Sequence, residues 1–165
     1  MVSTPKQQVG TTRAPTVPQY VNELVKVILR SPLHGLLSKH RMLLTFTGRK
    51  SGKHYTIPLS YVQEGETIFC ITGHSSWWRN LRGGVPVIVM LKGRAHDGMA
   101  QAVIEDPAVI VQGLQKLLQA IPSDAKYHAV KLDLKGQPNA EDMAQAVSGS
   151  ILIRIRLTSC ERNER

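Results

Sequence analysis

Four runs of strand-forming residues crowd the middle of this chain: "MLLTFT" (42–47), "YTIPLSYV" (55–62), "TIFCIT" (67–72) and "VPVIVMLKG" (85–93). β-Branched, aliphatic and aromatic residues fill them, and the breaks between them are short and carry glycine or charge,. Such spacing predicts an antiparallel meander, with "EGE" at 64–66 as a hairpin turn,. Pro58 and Pro86 have no amide to give to a ladder, so each is expected at a sheet edge or a strand start. "GMAQAVIED" (98–106) continues the sheet. "SILIRIRLT" alternates strictly, with Ile151, Ile153, Ile155 and Leu157 on one face and Leu152, Arg154 and Arg156 on the other, the pattern of a half-buried closing strand,.

Helical signals flank this block. Val21, Leu24, Val25, Ile28 and Leu29 form the apolar stripe of an amphipathic helix that Pro32 ends or restarts,. Asp106-Pro107 opens a second helix reaching about Ala120, Asp as N-cap and Pro at the first helical position,. "DAKYHAVKL" is a further helical piece and "NAEDMAQAV" a short helix. Strands and helices do not alternate as β-α-β-α would. The reading is α+β, a mainly antiparallel sheet or small barrel of about six strands with flanking helices.

A length of 165 residues, 42% of them hydrophobic, suits one core,. Residues 1–18, without usable period, read as a disordered arm, 19–158 as one domain and 159–165 as a polar tail,. No run reaches the length of a membrane span and the N-terminus lacks a signal-peptide core, so a cytoplasmic protein is expected. Cys70 and Cys160 suggest no disulfide. Six histidines show neither helical zinc-site pairing nor cysteine support, which argues against a metal,. No nucleophile elbow is present, and Ser75-Ser76 has no nearby base.

Lys and Arg number 21 against 12 Asp and Glu, a formal charge of +9 that favours anionic partners without naming one,. Two clusters give it an arrangement. Gly48-Arg49-Lys50-Ser51-Gly52-Lys53 differs from a phosphate-binding P-loop in spacing, and it feeds a strand rather than a helix. It can still hold an anion through turn amides and the three cations; a solvated hairpin is the alternative. In "GHSSWWRNLRGG" (73–84), Ser75 or Ser76 can cap a short helix with Trp77, Asn80 and Leu81 on one face and Trp78, Arg79 and Arg82 around the other,. Trp77 reads as core, Trp78 as lining a pocket or interface, and Asn80 as a polar group that needs partners.

"LLTFTGRKSGKHYTIPLSYV" and "WWRNLRGGVPVIVMLKGR", in that order, resemble the deazaflavin-dependent nitroreductase family, the F420-dependent quinone reductases of the flavin/deazaflavin oxidoreductase superfamily. The likeness implies a split β-barrel in which Gly48, Arg49, Lys50, Ser51, Gly52 and Lys53 grip the phosphate and carboxylate-bearing tail of F420. It places Pro58 beside the cofactor, and Ile71, Thr72 and Gly73 along its ring system, with Trp78 at the pocket. Tyr55, His74 and Ser60 stand where members often carry Arg, Lys and Tyr. His74 and Tyr61 are the candidate proton donors in a hydride transfer from reduced F420 to a quinone-like, nitro or other electron-poor small molecule. The resemblance also allows FMN or FAD in place of F420, or a non-catalytic haem or tetrapyrrole carrier using His54 or His74. It implies a homodimer as one assembly. The helix at 21–30 has a peripheral membrane reading and, more simply, a lid reading against the barrel. Nucleic acid ranks last as a partner, because aromatic content is 5% and no strand shows paired surface aromatics,.

Overall fold

The computed structural model describes residues 39–73 and 75–158. The expected arm at 1–18, the amphipathic stretch at 21–30, His74 and Cys160 lie outside the described residues.

Seven strands form one sheet: β1 (Arg41–Thr47), β2 (His54–Ser60), β3 (Val62–Glu64), β4 (Thr67–Thr72), β5 (Val85–Leu91), β6 (Arg94–Val103) and β7 (Ile151–Leu157). Every pairing is antiparallel, and the order across the sheet is β2-β1-β5-β6-β7-β4-β3. This is not the simple meander expected from sequence, since β5 lies beside β1 and β4 beside β7. The sheet curls until β2 touches β4, giving an open, split barrel.

The curl explains a second difference. "YTIPLSYV" reads as one strand but is divided at Tyr61: β2 pairs with β1 at one edge of the sheet, and β3 pairs with β4 at the other. The Tyr61 amide extends the β1–β2 register by one step, donating to the His40 carbonyl at 3.0 Å, before the chain passes to the other edge. Pro58 sits on the edge strand β2, and Pro86 is the second residue of β5, as their missing donors require,.

Period-two alternation sorts side chains between two cores. Met42, Leu44 and Phe46 of β1 meet Ile68, Val87, Val89, Ala100, Ile153 and Ile155 inside the curl. On the outer face, Ile71 and Leu152 are covered by Ile110, Leu114, Leu117 and Leu118 of helix α1 (Pro107–Ala120). Asp106 caps α1 by accepting the Val109 amide at 3.2 Å,. Helix α2 (Ala140–Ser148) is capped by Asn139, whose Oδ1 accepts from Glu141 and Asp142. The piece expected over "DAKYHAVKL" is a 3₁₀ helix, Pro122–His128, that stops at Ala129 with φ 55°. Among the described residues no helix is long and apolar enough to cross a membrane.

Candidate functional site

The antiparallel register gathers the clusters singled out in the sequence at one end of the barrel. Thr72 pairs with Ile151, and Val103 with Leu152, while Val85 pairs with Ala100. The end of β1, the start of β5 and the end of β4 therefore point the same way. The basic turn closes β1–β2 at that end, and a 3₁₀ helix at Trp77–Leu81 bridges β4 to β5 there.

The basic turn has a fixed shape. The Gly48 amide donates to the Lys53 carbonyl at 2.8 Å and the Gly52 amide to the Gly48 carbonyl at 2.9 Å. Gly52 has φ +66°, and a Cβ on Gly48 would stand 2.7 Å from Cε2 of Tyr55, so both positions call for glycine,. The Lys53 amide donates to Ser51 Oγ at 3.2 Å and the Arg49 amide to Asn80 Oδ1 at 3.0 Å. These four amides are already engaged within the site. The side chains of Lys50 and Lys53 are exposed.

Trp77 stacks on Phe46 at 5.6 Å between centroids, and Leu81 is fully buried. Trp78 is half-buried against the inner core, with the guanidinium carbons of Arg79 and Arg82 at 5.5 and 4.9 Å from its ring centroid,. The Arg49 guanidinium reaches the Arg79 carbonyl at 3.4 Å. Ser76 occupies the N-cap position without a side-chain bond, and Ser75 Oγ lies 3.2 Å from Thr72 Oγ1.

The remaining sequence-derived residues divide. Thr72 and Gly73, both half-buried, stand at the strand end beside the tryptophan turn. Ile71 faces the other way, into the core under α1. Pro58 is exposed in mid-β2, opposite Leu43. Tyr61 is 3% exposed inside the inner core, where loss of solvent and the neighbouring Cys70 push its phenol above the ordinary value,. Cys70 is itself buried, its thiol pushed well above the usual range by desolvation. His54 Nδ1 lies 3.2 Å from Thr47 Oγ1. Among the described residues no group of His, Cys, Asp and Glu could hold a metal.

Sequence reasoning left out the tie between Arg49 and Asn80. The available signal was a polar residue on the buried side of a short helix, which identifies a need for partners but not the partner.

Solved structures of similar architecture include a domain-swapped dimer, 20% identical over 84% of this chain and 98% of that one, TM-score 0.51. HutZ, the heme storage protein from Vibrio cholerae, is 13% identical over 86% of this chain and 90% of its own, TM-score 0.51. An F420-H2 dependent reductase, FDR-A, is 21% identical over 70% of this chain and 94% of its own, TM-score 0.48. No curated protein matches the sequence. The sequence profile of the F420H(2)-dependent quinone reductases matches residues 30–131, a stretch holding the basic turn, the tryptophan turn and β1 to β6. The chain belongs to the F420H(2)-dependent quinone reductase family.

Proposed function

We propose that this F420-dependent oxidoreductase holds its cofactor at the basic end of the barrel, with Lys50, Lys53, Arg79 and Arg82 receiving the anionic tail and Trp78 beside it. One observation carries the assignment: the basic turn and the tryptophan turn are joined at one end of the barrel, and the sequence segments that carry them contain no carboxylate. No Asp or Glu occurs from residue 39 to 63 or from 67 to 96. The ion pairs Arg41–Asp124 and Lys116–Glu64 use other parts of the surface. The donor set therefore suits a polyanion.

Reduced F420 supplies the hydride, which passes to a quinone-like, nitro or other electron-poor acceptor. The protein's own residues bind and orient. Lys50 and Lys53 act as mobile point charges, whereas Arg79 and Arg82 are held over the Trp78 ring and offer planar forks,. Arg49 contributes less to an anion than its charge suggests, because its guanidinium is directed to the Arg79 carbonyl. With Tyr61 enclosed in the core, the proton that completes reduction comes from His74 or solvent,.

A fluorescence titration with F420 tests this. Lys50→Ala is expected to weaken binding roughly tenfold while leaving the melting temperature unchanged, since one charge-assisted contact is lost from an exposed turn. Unchanged affinity would remove Lys50 from the site. Tighter binding of FMN or haem than of F420 would overturn the cofactor assignment.

A further inference from the structure

We propose that Asn80 is a positioning residue that fixes the basic turn against the tryptophan turn, so that the cations of both face one ligand. The inference rests on the reading that this end of the barrel binds F420.

The two turns meet 31 residues apart in sequence through the Asn80 carboxamide, and the longer contact of the Arg49 guanidinium with the Arg79 carbonyl, at 3.4 Å, lies beside it. Asn80 Oδ1 accepts the Arg49 amide at 3.0 Å, and Asn80 Nδ2 donates to the Trp77 carbonyl at 2.8 Å. The two partners fix the orientation of the group, because an amide proton requires oxygen and a carbonyl requires nitrogen. Three side chains of similar or smaller size each lack part of this arrangement. Asp offers only acceptors and would add a carboxylate beside Arg49 and Arg79, Leu matches the volume and offers neither, and Ser can donate and accept but only from one oxygen on a shorter side chain, without the spaced oxygen and nitrogen that reach the two partners.

The contact closes a circuit. Ser51 Oγ lies 3.1 Å from the Tyr55 hydroxyl, Tyr55 stacks on Phe46 at 5.9 Å, and Phe46 stacks on Trp77 at 5.6 Å. Trp77 returns through Asn80 to Arg49, two residues before Ser51. The aromatic side is a broad, sliding contact, whereas the Asn80 side is directional and sets the register of the two turns. Without Asn80 the turn keeps its charges and loses its fixed place. Binding must then order the turn as well as contact it, so affinity falls although no ligand contact has been removed.

The test uses the full chain with Asn80→Leu, with Asn80→Ser as the milder variant should the first not give cooperative unfolding. In the ligand-free protein, exchange of the Arg49 amide proton is read by NMR. F420 affinity is measured for wild type, Asn80→Leu, Lys50→Ala and the double variant. The expected result is faster Arg49 exchange, F420 binding weakened about tenfold in Asn80→Leu and less in Asn80→Ser. Lys50→Ala should cost less in the Asn80→Leu background than in wild type, because its charge is no longer placed. Unchanged F420 affinity in a folded variant overturns the positioning role, and so does strict additivity with Lys50→Ala. If wild type binds no F420, the underlying cofactor reading falls and the role falls with it, whereas the Arg49 exchange rate still reports the tie on its own.

Discussion

At the scale of single residues, the least conventional environment away from the site surrounds Asp124. Its side chain is 4% exposed and pairs with Arg41 at 3.1 Å, joining the start of β1 to the 3₁₀ helix after α1. His128, at the end of that helix, has its imidazole pushed below the ordinary value by loss of solvent, and the Asp124 carboxylate partly opposes the shift,. The folded state thus binds the His128 proton more weakly than the unfolded chain does. Above about pH 6.5 both states are neutral at this group and it has no effect. As pH falls below that value the unfolded chain is protonated first, so stability declines until the folded-state group also titrates. Melting temperature is expected to fall between pH 7 and pH 5, with a shallower decline in His128→Gln. Equal slopes in the two proteins would show that acid sensitivity arises from other groups.

Among elements, α1 approaches β7 closely at Gly113. A Cβ on Gly113 would lie 2.6 Å from Leu152 Cδ1 and 3.5 Å from Ile71 Cδ1. Alanine would gain about 1 kcal/mol of helix propensity at that position. Overpacking costs roughly 1–3 kcal/mol, and Leu152, at 0% exposure, must shift within the core to make room,. The second effect should win: Gly113→Ala is expected to lower the unfolding free energy by a net amount on the order of 1 kcal/mol, read as a lower denaturant midpoint. A raised midpoint would mean that Leu152 repacks freely. This junction also marks what was legible in sequence. The periodicity of α1 and β7 is local, so both elements and the Asp106 cap could be read directly. Their mutual fit is not local, and neither is the division of "YTIPLSYV" at Tyr61, which follows from a curl that brings opposite sheet edges to one run of chain. The order β1-β5 and β7-β4 was hidden for the same reason: spacing and turn chemistry specify neighbours only where a short hairpin joins them,.

For the whole molecule, the formal charge of +9 matters through its placement. Cationic residues recur across two long acid-free segments, and the fold brings the turns of both to one end of the barrel. The basic turn and the tryptophan pair were each recognisable in sequence; their meeting through Asn80 was not, because a hydrogen bond across 31 residues leaves no local pattern. If that end of the barrel is an anion site, its field should steer the cofactor and be weakened by salt. The Debye length shortens from about 10 Å at 0.1 M to about 3 Å at 1 M, which isolates charges spread over two turns while sparing an apolar contact with Trp78. F420 binding is therefore expected to weaken on the order of tenfold between those ionic strengths, mostly through a slower association rate. A neutral deazaflavin lacking the anionic tail should bind more weakly at low salt and change little as salt is added. Stopped-flow fluorescence at several ionic strengths separates the two contributions. A salt-independent association rate for F420 would mean that the cations form a solvated surface and that the cofactor is held by apolar contacts elsewhere on the barrel.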